Sequence, residues 1–228
     1  MTYVISDIHG SYEKFKSILS QISFRESDVM YSLGEILDYG EESMELIADL
    51  SIRLNVYPIA GEHDFLAARM LSGFSSMLKN GAAPDPEFIS EMTAWVQDGG
   101  QTTLEAFRDL DEDQREGVLE YLEDMMLFDE VKVKGERYVL VHAGIADYQP
   151  GMKLDDCEPE VFMTEPLDLS KRLFKNKTVV VGHVPMTEEN GGNGKIYFGN
   201  GCVNINCGVK DAGLLGCLRL DDMKEFYV

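Results

Sequence analysis

The feature that most constrains this 228-residue chain is a recurrence. Five short apolar runs each stop at a glycine, histidine or carboxylate. "YVIS" leads into Asp7-Ile8-His9-Gly10, "MYSL" into Gly34-Glu35 with Asp38 three residues on, and "YPIA" into Gly61-Glu62-His63-Asp64. "YVLV" leads into His142-Ala143-Gly144, and "TVVV" into Gly182-His183. Runs of four or five apolar residues bounded by turn residues read as buried strands. In α/β sheets, ligands gather at the carboxyl ends of such strands. The chain has only four histidines, and all four fall at these ends. A shared site explains that placement better than four separate structural roles.

The order of elements sets the fold class. Strands over 2–6, 28–34 and 55–61 alternate with helices over 11–22 and 41–53. The period of about 27 residues matches βαβ units, so these strands are expected to be parallel. Residues 65–73, 86–98, 101–109 and 112–127 carry helical spacing, broken at Pro84, Pro86 and Gly99-Gly100. This helical excursion over 65–127 is read as a cap-like insertion in a single domain of residues 1–228. Strands return over 130–135, 137–144 and 178–183. Residues 145–170 look irregular. The C-terminal end reads as antiparallel strands with a turn near Asp221-Asp222. The class is mixed α/β, parallel early and antiparallel late.

Charge narrows the partners. Forty-one acidic residues against 20 Lys and Arg give a net charge of −21, with no Lys/Arg stripe. Nucleic acid and anionic membrane surfaces are therefore not expected as partners. No apolar run approaches membrane-spanning length. Cys157, Cys202, Cys207 and Cys217 form no CxxC pair and read as reduced thiols of a cytoplasmic protein. "NGGNGK" (190–195) lacks phosphate-loop spacing and reads as a surface turn. Asp64 reads as a loop support, Trp95 as packing, and the acidic run 109–116 as a helix start.

The donors at the strand ends are carboxylates and imidazoles without thiolate. That mix suits manganese, iron, zinc or nickel and not a structural zinc site. There are more donors than one ion needs. A pair of divalent ions roughly 3.5–4 Å apart would use them and would suit displacement at phosphorus. Asp7 and His9 lie two apart, which on an extended backbone puts both on one face.

In order and spacing, "DIHG" (7–10), "GEILDYG" (34–40), "GEHD" (61–64), "HAG" (142–144) and "GHVP" (182–185) resemble the motifs of the calcineurin-like metallophosphoesterases. The phosphoprotein-phosphatase branch, in its bacterial form related to diadenosine tetraphosphatases, is the most similar. "DGGQTT" (98–103) and the strands at 203–209 and 215–222 extend the resemblance over essentially the whole chain. It implies a four-layer sandwich, two mixed β-sheets packed face to face with helices outside. It also implies two divalent metal ions, manganese first. Asp7, His9 and Glu35 would hold one; Glu35 would bridge to another held by Glu62, His142 and His183. A hydroxide bridging the metals would attack the phosphate, and His63, oriented by Asp38, would protonate the leaving oxygen. The substrate would be a phosphoprotein or a small phosphoester.

The chain departs from the family pattern at informative places. Glu35 stands where the family has the bridging Asp, and Glu62 where it has a metal-binding Asn. Tyr39 replaces the phosphate-binding Arg, Ala60 replaces another, and the expected Trp–Arg pair is missing from "VFMTEP" (161–166). Tyr39 is carried as a substrate-binding candidate, with Arg53, Arg69 or Arg172 as replacement cations. The alternative function is a diverged family member that binds or regulates with little catalysis. A hydrolase of a non-phosphate bond is a third reading.

Overall fold

Alternation along β1 (Thr2–Ile5) fixes the architecture. Val4 points into one apolar cluster while Tyr3 and Ile5 point into another, as the two-residue period of a strand requires. A computed structural model describes residues 1–81, 85–211 and 213–228; the break expected at Pro84 lies outside them. The first sheet has the order β10-β9-β1-β2-β3. Here β2 is Val29–Leu33, β3 Val56–Ile59, β9 Gly216–Arg219 and β10 Lys224–Tyr227. β1, β2 and β3 are parallel, and β9 and β10 are antiparallel.

The second sheet has the order β4-β5-β6-β8-β7. Its strands are β4 (Phe128–Val133), β5 (Glu136–Val141), β6 (Thr178–Val181), β7 (Tyr197–Phe198) and β8 (Cys202–Asn204). The late half is less antiparallel than the sequence implies. β5, β6 and β8 run parallel, and only the β4–β5 and β7–β8 pairs are antiparallel in this sheet. The crossover between β5 and β6 includes α7 (Pro159–Thr164), a helix inside the stretch expected to be irregular. It has Pro159 in its first turn, where a missing N–H costs nothing.

The sheets pack face to face through Val4, Leu33, Ile59, Leu140, Val180, Val203 and Leu218. Outside the first sheet lie α1 (Tyr12–Ile22) and α2 (Ser43–Ser51). Outside it too are α3 (Glu62–Asn80), α4 (Pro86–Trp95), α5 (Gln101–Arg108) and α6 (Glu112–Glu123). Trp95, Phe107, Val118 and Leu122 share one core with Ile5, Phe15 and Leu46. The helices of the 65–127 segment are thus built into the outer layer of the domain. Phe162 and Phe174 cover the outer face of the second sheet against Val139, Val141 and Val179. Two mixed sheets flanked by helices match the four-layer arrangement the sequence implied. Truncating a fully buried inter-sheet residue such as Leu140 should cost about 2–5 kcal/mol.

α3 begins at Glu62, three residues before the expected start at 65. The physical cause is a cap. Asp64 Oδ2 accepts the Gly61 amide at 3.0 Å, and its Oδ1 accepts the Ile36 and Leu37 amides. Asp64 is 1% exposed and ties the β2 and β3 loops together as a loop support. Between α4 and α5 the chain makes a π turn over Val96–Gly100, with Gly99 at φ +95. That is the Gly99-Gly100 break, placed against Tyr39 and Trp95. The four cysteines are buried and unpaired.

Candidate metal centre

The carboxyl ends of the parallel strands are sewn together by backbone hydrogen bonds. Asp7 N–H donates to Gly34 O at 3.0 Å, and His9 N–H to Glu35 O at 2.8 Å. Within the second sheet Gly182 N–H donates to His142 O at 2.8 Å, and across the two sheets His183 N–H donates to the Asp7 carboxylate, Oδ2, at 3.2 Å. The approach is close enough to exclude side chains. A Cβ on Gly34 would lie 2.5 Å from His142 Nδ1, and one on Gly182 would collide with the Asp7 carboxylate.

Backbone conformation marks the same place. Among the described residues nine non-glycine residues have positive φ, and six are candidate site residues: Asp7, His9, Glu35, Asp38, Tyr39 and His183. Left-handed backbone costs of order 1–3 kcal/mol at each such residue and clusters where function demands it. This corrects one expectation. Asp7 and His9 do not share a face through an extended backbone; each turns inward from a left-handed kink, at φ 52 and 47.

Glu35 is the hub. It is 4% exposed, and its carboxylate lies 3.3 Å from His142 Nε2 and 3.8 Å from both His9 Nε2 and His63 Nε2. Burial pushes its pKa up, but the three imidazoles outweigh burial and hold it well below the usual carboxylate range. His142 moves oppositely: burial lowers it, yet the Glu35 partner raises it to about 9. Burial raises Asp7 to about 6 and lowers His9 and His183 to about 4.

The donor chemistry fits a metal ion. His142 Nδ1 faces Leu33 O at 2.7 Å and His9 Nδ1 faces Leu37 O at 3.1 Å. Each carbonyl requires a proton on Nδ1, which leaves Nε2 as a lone-pair donor, the usual arrangement of metal-ligating histidines. His142 Nε2 and His183 Nδ1 approach to 3.1 Å. Donor atoms of Glu35, His142 and His183 all lie within 4.8 Å of one another, the one such group among the described residues. Asp7 and His9 border it.

Glu62 does not join them. On a helix, neighbouring residues point about 100° apart, so Glu62, His63 and Asp64 in the first turn of α3 cannot share one face. Asp64 is buried, His63 faces Glu35, and Glu62 is exposed. Its side chain lines a groove with Phe65, Arg69, Met125, Glu158 and Met163. Glu62 thus lies outside the cluster around Glu35 in this structure.

His63 and Asp38 meet as expected, with Nδ1 2.8 Å from Oδ2. Burial lowers the His63 pKa, but the bond to Asp38 and the charges of Glu35 and Asp38 raise it to about 9. Tyr39 sits beside them, its ring centroid 5.0 Å from that of His9 and 5.3 Å from that of His63. Its hydroxyl donates to Asp98 Oδ1 at 2.8 Å.

The profile of the calcineurin-like phosphoesterase family matches residues 2–211. The chain belongs to that family. Among curated relatives it is similar to a symmetrical bis(5'-nucleosyl)-tetraphosphatase of Buchnera aphidicola subsp. Acyrthosiphon pisum. The two are 31% identical over 103 residues, 42% of this chain and 37% of the relative. A second relative of the same name, from Wigglesworthia glossinidia brevipalpis, is 31% identical over 64 residues, 27% of this chain and 24% of the relative. The matched segments thus span 37% and 24% of those relatives' length. A solved structure described as a putative diadenosine tetraphosphatase superposes with TM-score 0.66 at 16% identity, covering 100% of this chain and 92% of that one. A protein serine/threonine phosphatase from Saccharomyces cerevisiae gives 0.59 at 11% identity, covering 100% and 78%. At these identities the structures speak for the fold alone.

Other residues around the candidate centre carry no signal in the sequence. Trp95 Nε1 donates to Asp38 Oδ2 at 2.8 Å, so Trp95 positions Asp38 as well as packing. Thr103 Oγ1 donates to Asp38 Oδ1 at 2.6 Å. Asn206 Nδ2 donates to Asp7 Oδ1 at 2.8 Å and to His183 O at 2.9 Å. Of the proposed replacement cations, Arg53 pairs with Asp49, Arg69 with Glu91, and Arg172 bonds Phe174 O. The cation beside Tyr39 is Lys210, with Nζ 3.4 Å from the Tyr39 hydroxyl.

Proposed function

We propose that the chain is a metal-dependent phosphoesterase that hydrolyses a phosphate monoester or anhydride. One observation supports this most: the Glu35 carboxylate faces His9, His63 and His142 at once, and His63 is backed by a buried Asp38. Asp7, His9, Glu35, His142 and His183 would hold two divalent ions, manganese first, with iron, zinc or nickel as the other candidates. When bound, such ions neutralise phosphoryl oxygens and acidify water.

The chain's own residues supply the rest. Asp38 accepts from His63, Trp95 and Thr103, and this fixes the ring so that Nε2 points towards Glu35. His63 is then protonated at neutral pH and delivers its Nε2 proton to the leaving oxygen as general acid. Asp38 stabilises the charged ring before transfer and holds it in place after. Asn206 holds the Asp7 carboxylate and the His183 backbone in register. Tyr39 walls the space beside His9 and His63 and orients the ester.

The substrate is a phosphoprotein or a small phosphoester, and the tetraphosphatase relatives favour the second. No nucleic-acid or membrane partner enters this reading. No helix among the described residues is long and apolar enough to cross a membrane. The unpaired cysteines fit the reducing cytoplasm.

The test is an aryl phosphate assay with manganese, nickel, zinc or iron added. Turnover lost in His63→Ala and His9→Ala supports the reading, and metal bound without turnover contradicts it. The exposure of Glu62 favours a second reading, a diverged member that keeps metal but catalyses weakly. The double change Glu35→Asp with Glu62→Asn separates the two. A rise from negligible activity supports the diverged reading, and a fall from a good rate supports the enzyme.

A further inference from the structure

Carboxylates surround the candidate centre. Asp7, Glu35 and Asp38 are buried in it, and Asp98 holds the hydroxyl of Tyr39 at its edge. A phosphoryl group entering this field adds more negative charge and needs a cation from the protein. Besides the histidines of the centre, a lysine stands there, Lys210, against Tyr39. Lys210 lies on the 3-10 turn Val209–Asp211 that follows β8. Its Nζ is 4.5 Å from the centroid of the Tyr39 ring, which in turn touches the rings of His9 and His63.

The platform under Lys210 is fixed. Tyr39 donates its hydroxyl to Asp98, and its amide donates to Gly99 O at 2.9 Å. Gly99 packs so closely that a Cβ there would lie 2.9 Å from the ring. Lys210 is exposed, and among the described residues no carboxylate lies within salt-bridge distance of it. Its ammonium is held by a ring face and one hydroxyl, and most of its donors stay available.

We propose that Lys210 is the phosphate-binding residue of this site, a substrate-positioning cation docked on Tyr39 that favours a terminal phosphoryl group. The proposal rests on the phosphoesterase reading and deepens it. An ammonium is a compact point charge rather than a planar fork. It satisfies one phosphoryl group, and among the described residues no second lysine or arginine is seated on Tyr39 to follow a chain of phosphates. The substrate class is therefore a phosphate monoester rather than an internal anhydride.

The test uses the manganese-loaded wild-type protein, Lys210→Met and Lys210→Arg, with metal content measured on each. The reactions are hydrolysis of p-nitrophenyl phosphate, its inhibition by inorganic phosphate, and hydrolysis of diadenosine tetraphosphate. Lys210→Met is expected to raise KM and the phosphate inhibition constant about tenfold or more, the loss falling on KM more than on kcat. Metal content should not change, Lys210→Arg should recover most of the loss, and wild type should favour the monoester. Both constants within about twofold of wild type in Lys210→Met would overturn the proposal. So would Lys210→Arg matching Lys210→Met, or a wild-type preference for the tetraphosphate. If wild type turns over no phosphoester, the phosphoesterase reading fails on its own. Calorimetric phosphate binding to the same proteins then decides Lys210: weaker binding in Lys210→Met supports it, and equal binding or none in wild type overturns it.

Discussion

His63 Nδ1 and Asp38 Oδ2 lie 2.8 Å apart, and the same Asp38 oxygen also accepts the indole N–H of Trp95 at 2.8 Å. With Thr103 on the other oxygen, the carboxylate has three donors and no exposure. A buried carboxylate that loses a donor shifts, and the imidazole it holds shifts with it. Trp95→Phe keeps most of the packing volume and removes one donor. The expected outcome is a fall in kcat of about 10- to 100-fold, from a hydrogen bond to a charged group of about 1.5–3 kcal/mol, with KM little changed. Asp38→Asn should cost more, of order 10²–10⁴ in kcat. Steady-state kinetics on p-nitrophenyl phosphate check both.

The His63–Asp38 pair also carries a pH signature in the metal-free protein. His63 is raised from its ordinary 6.5 to about 9. A histidine with a raised folded-state pKa contributes stability that is complete below about 6.5 and is lost as pH rises through about 9. The gap in unfolding free energy between wild type and His63→Phe should therefore be widest near pH 6 and close by about pH 10. Urea denaturation of both proteins in chelator across that range reads it. A gap that widens with pH would contradict the assignment.

Asn206 bonds Asp7 and the His183 carbonyl, two parts of the centre that come from different sheets. Asn206→Leu leaves both acceptors without this donor in a buried place. We expect a loss of about 1–3 kcal/mol in stability and a 10–100-fold weaker metal affinity. Competition with a metallochromic chelator measures the second, and thermal unfolding the first.

Gly34 has φ +73 and sits where a Cβ would press on His142 Nδ1. Gly34→Ala meets both the backbone penalty and the clash, and should destabilise the fold by about 1–3 kcal/mol or more. His142 must then move off Leu33 O, so metal retention should drop together with the melting temperature. Gly117 and Gly135 meet nothing within 4 Å. Gly117→Ala, in the interior of α6, is the neutral-to-stabilising control, because alanine is the better helix former by about 1 kcal/mol.

The parts of this account legible in the sequence are those written locally. Apolar runs ending in Asp7, His9, Glu35, His142 and His183 announce both the strands and the site. The start of α3 at Glu62 was not legible, because a strand-end motif and a helix N-terminus look alike in sequence. The capping carboxylate of Asp64 decides for the helix and turns Glu62 outward. Trp95, Thr103, Asn206 and Lys210 were not legible, because their contacts close loops of 57, 65, 199 and 171 residues. No spacing rule reports such pairs. The parallel β5-β6-β8 core escaped for a related reason: strands separated by irregular crossovers carry no periodic marker of direction.

The central claim is that metal is held by the cluster around Glu35 and not by Glu62. Metal content of Glu35→Gln and Glu62→Gln, each loaded with manganese, desalted and measured against wild type by inductively coupled plasma mass spectrometry, tests it most directly. Glu62→Gln should retain the wild-type metal content and Glu35→Gln should lose most of it. Loss in Glu62→Gln with full retention in Glu35→Gln would contradict the account.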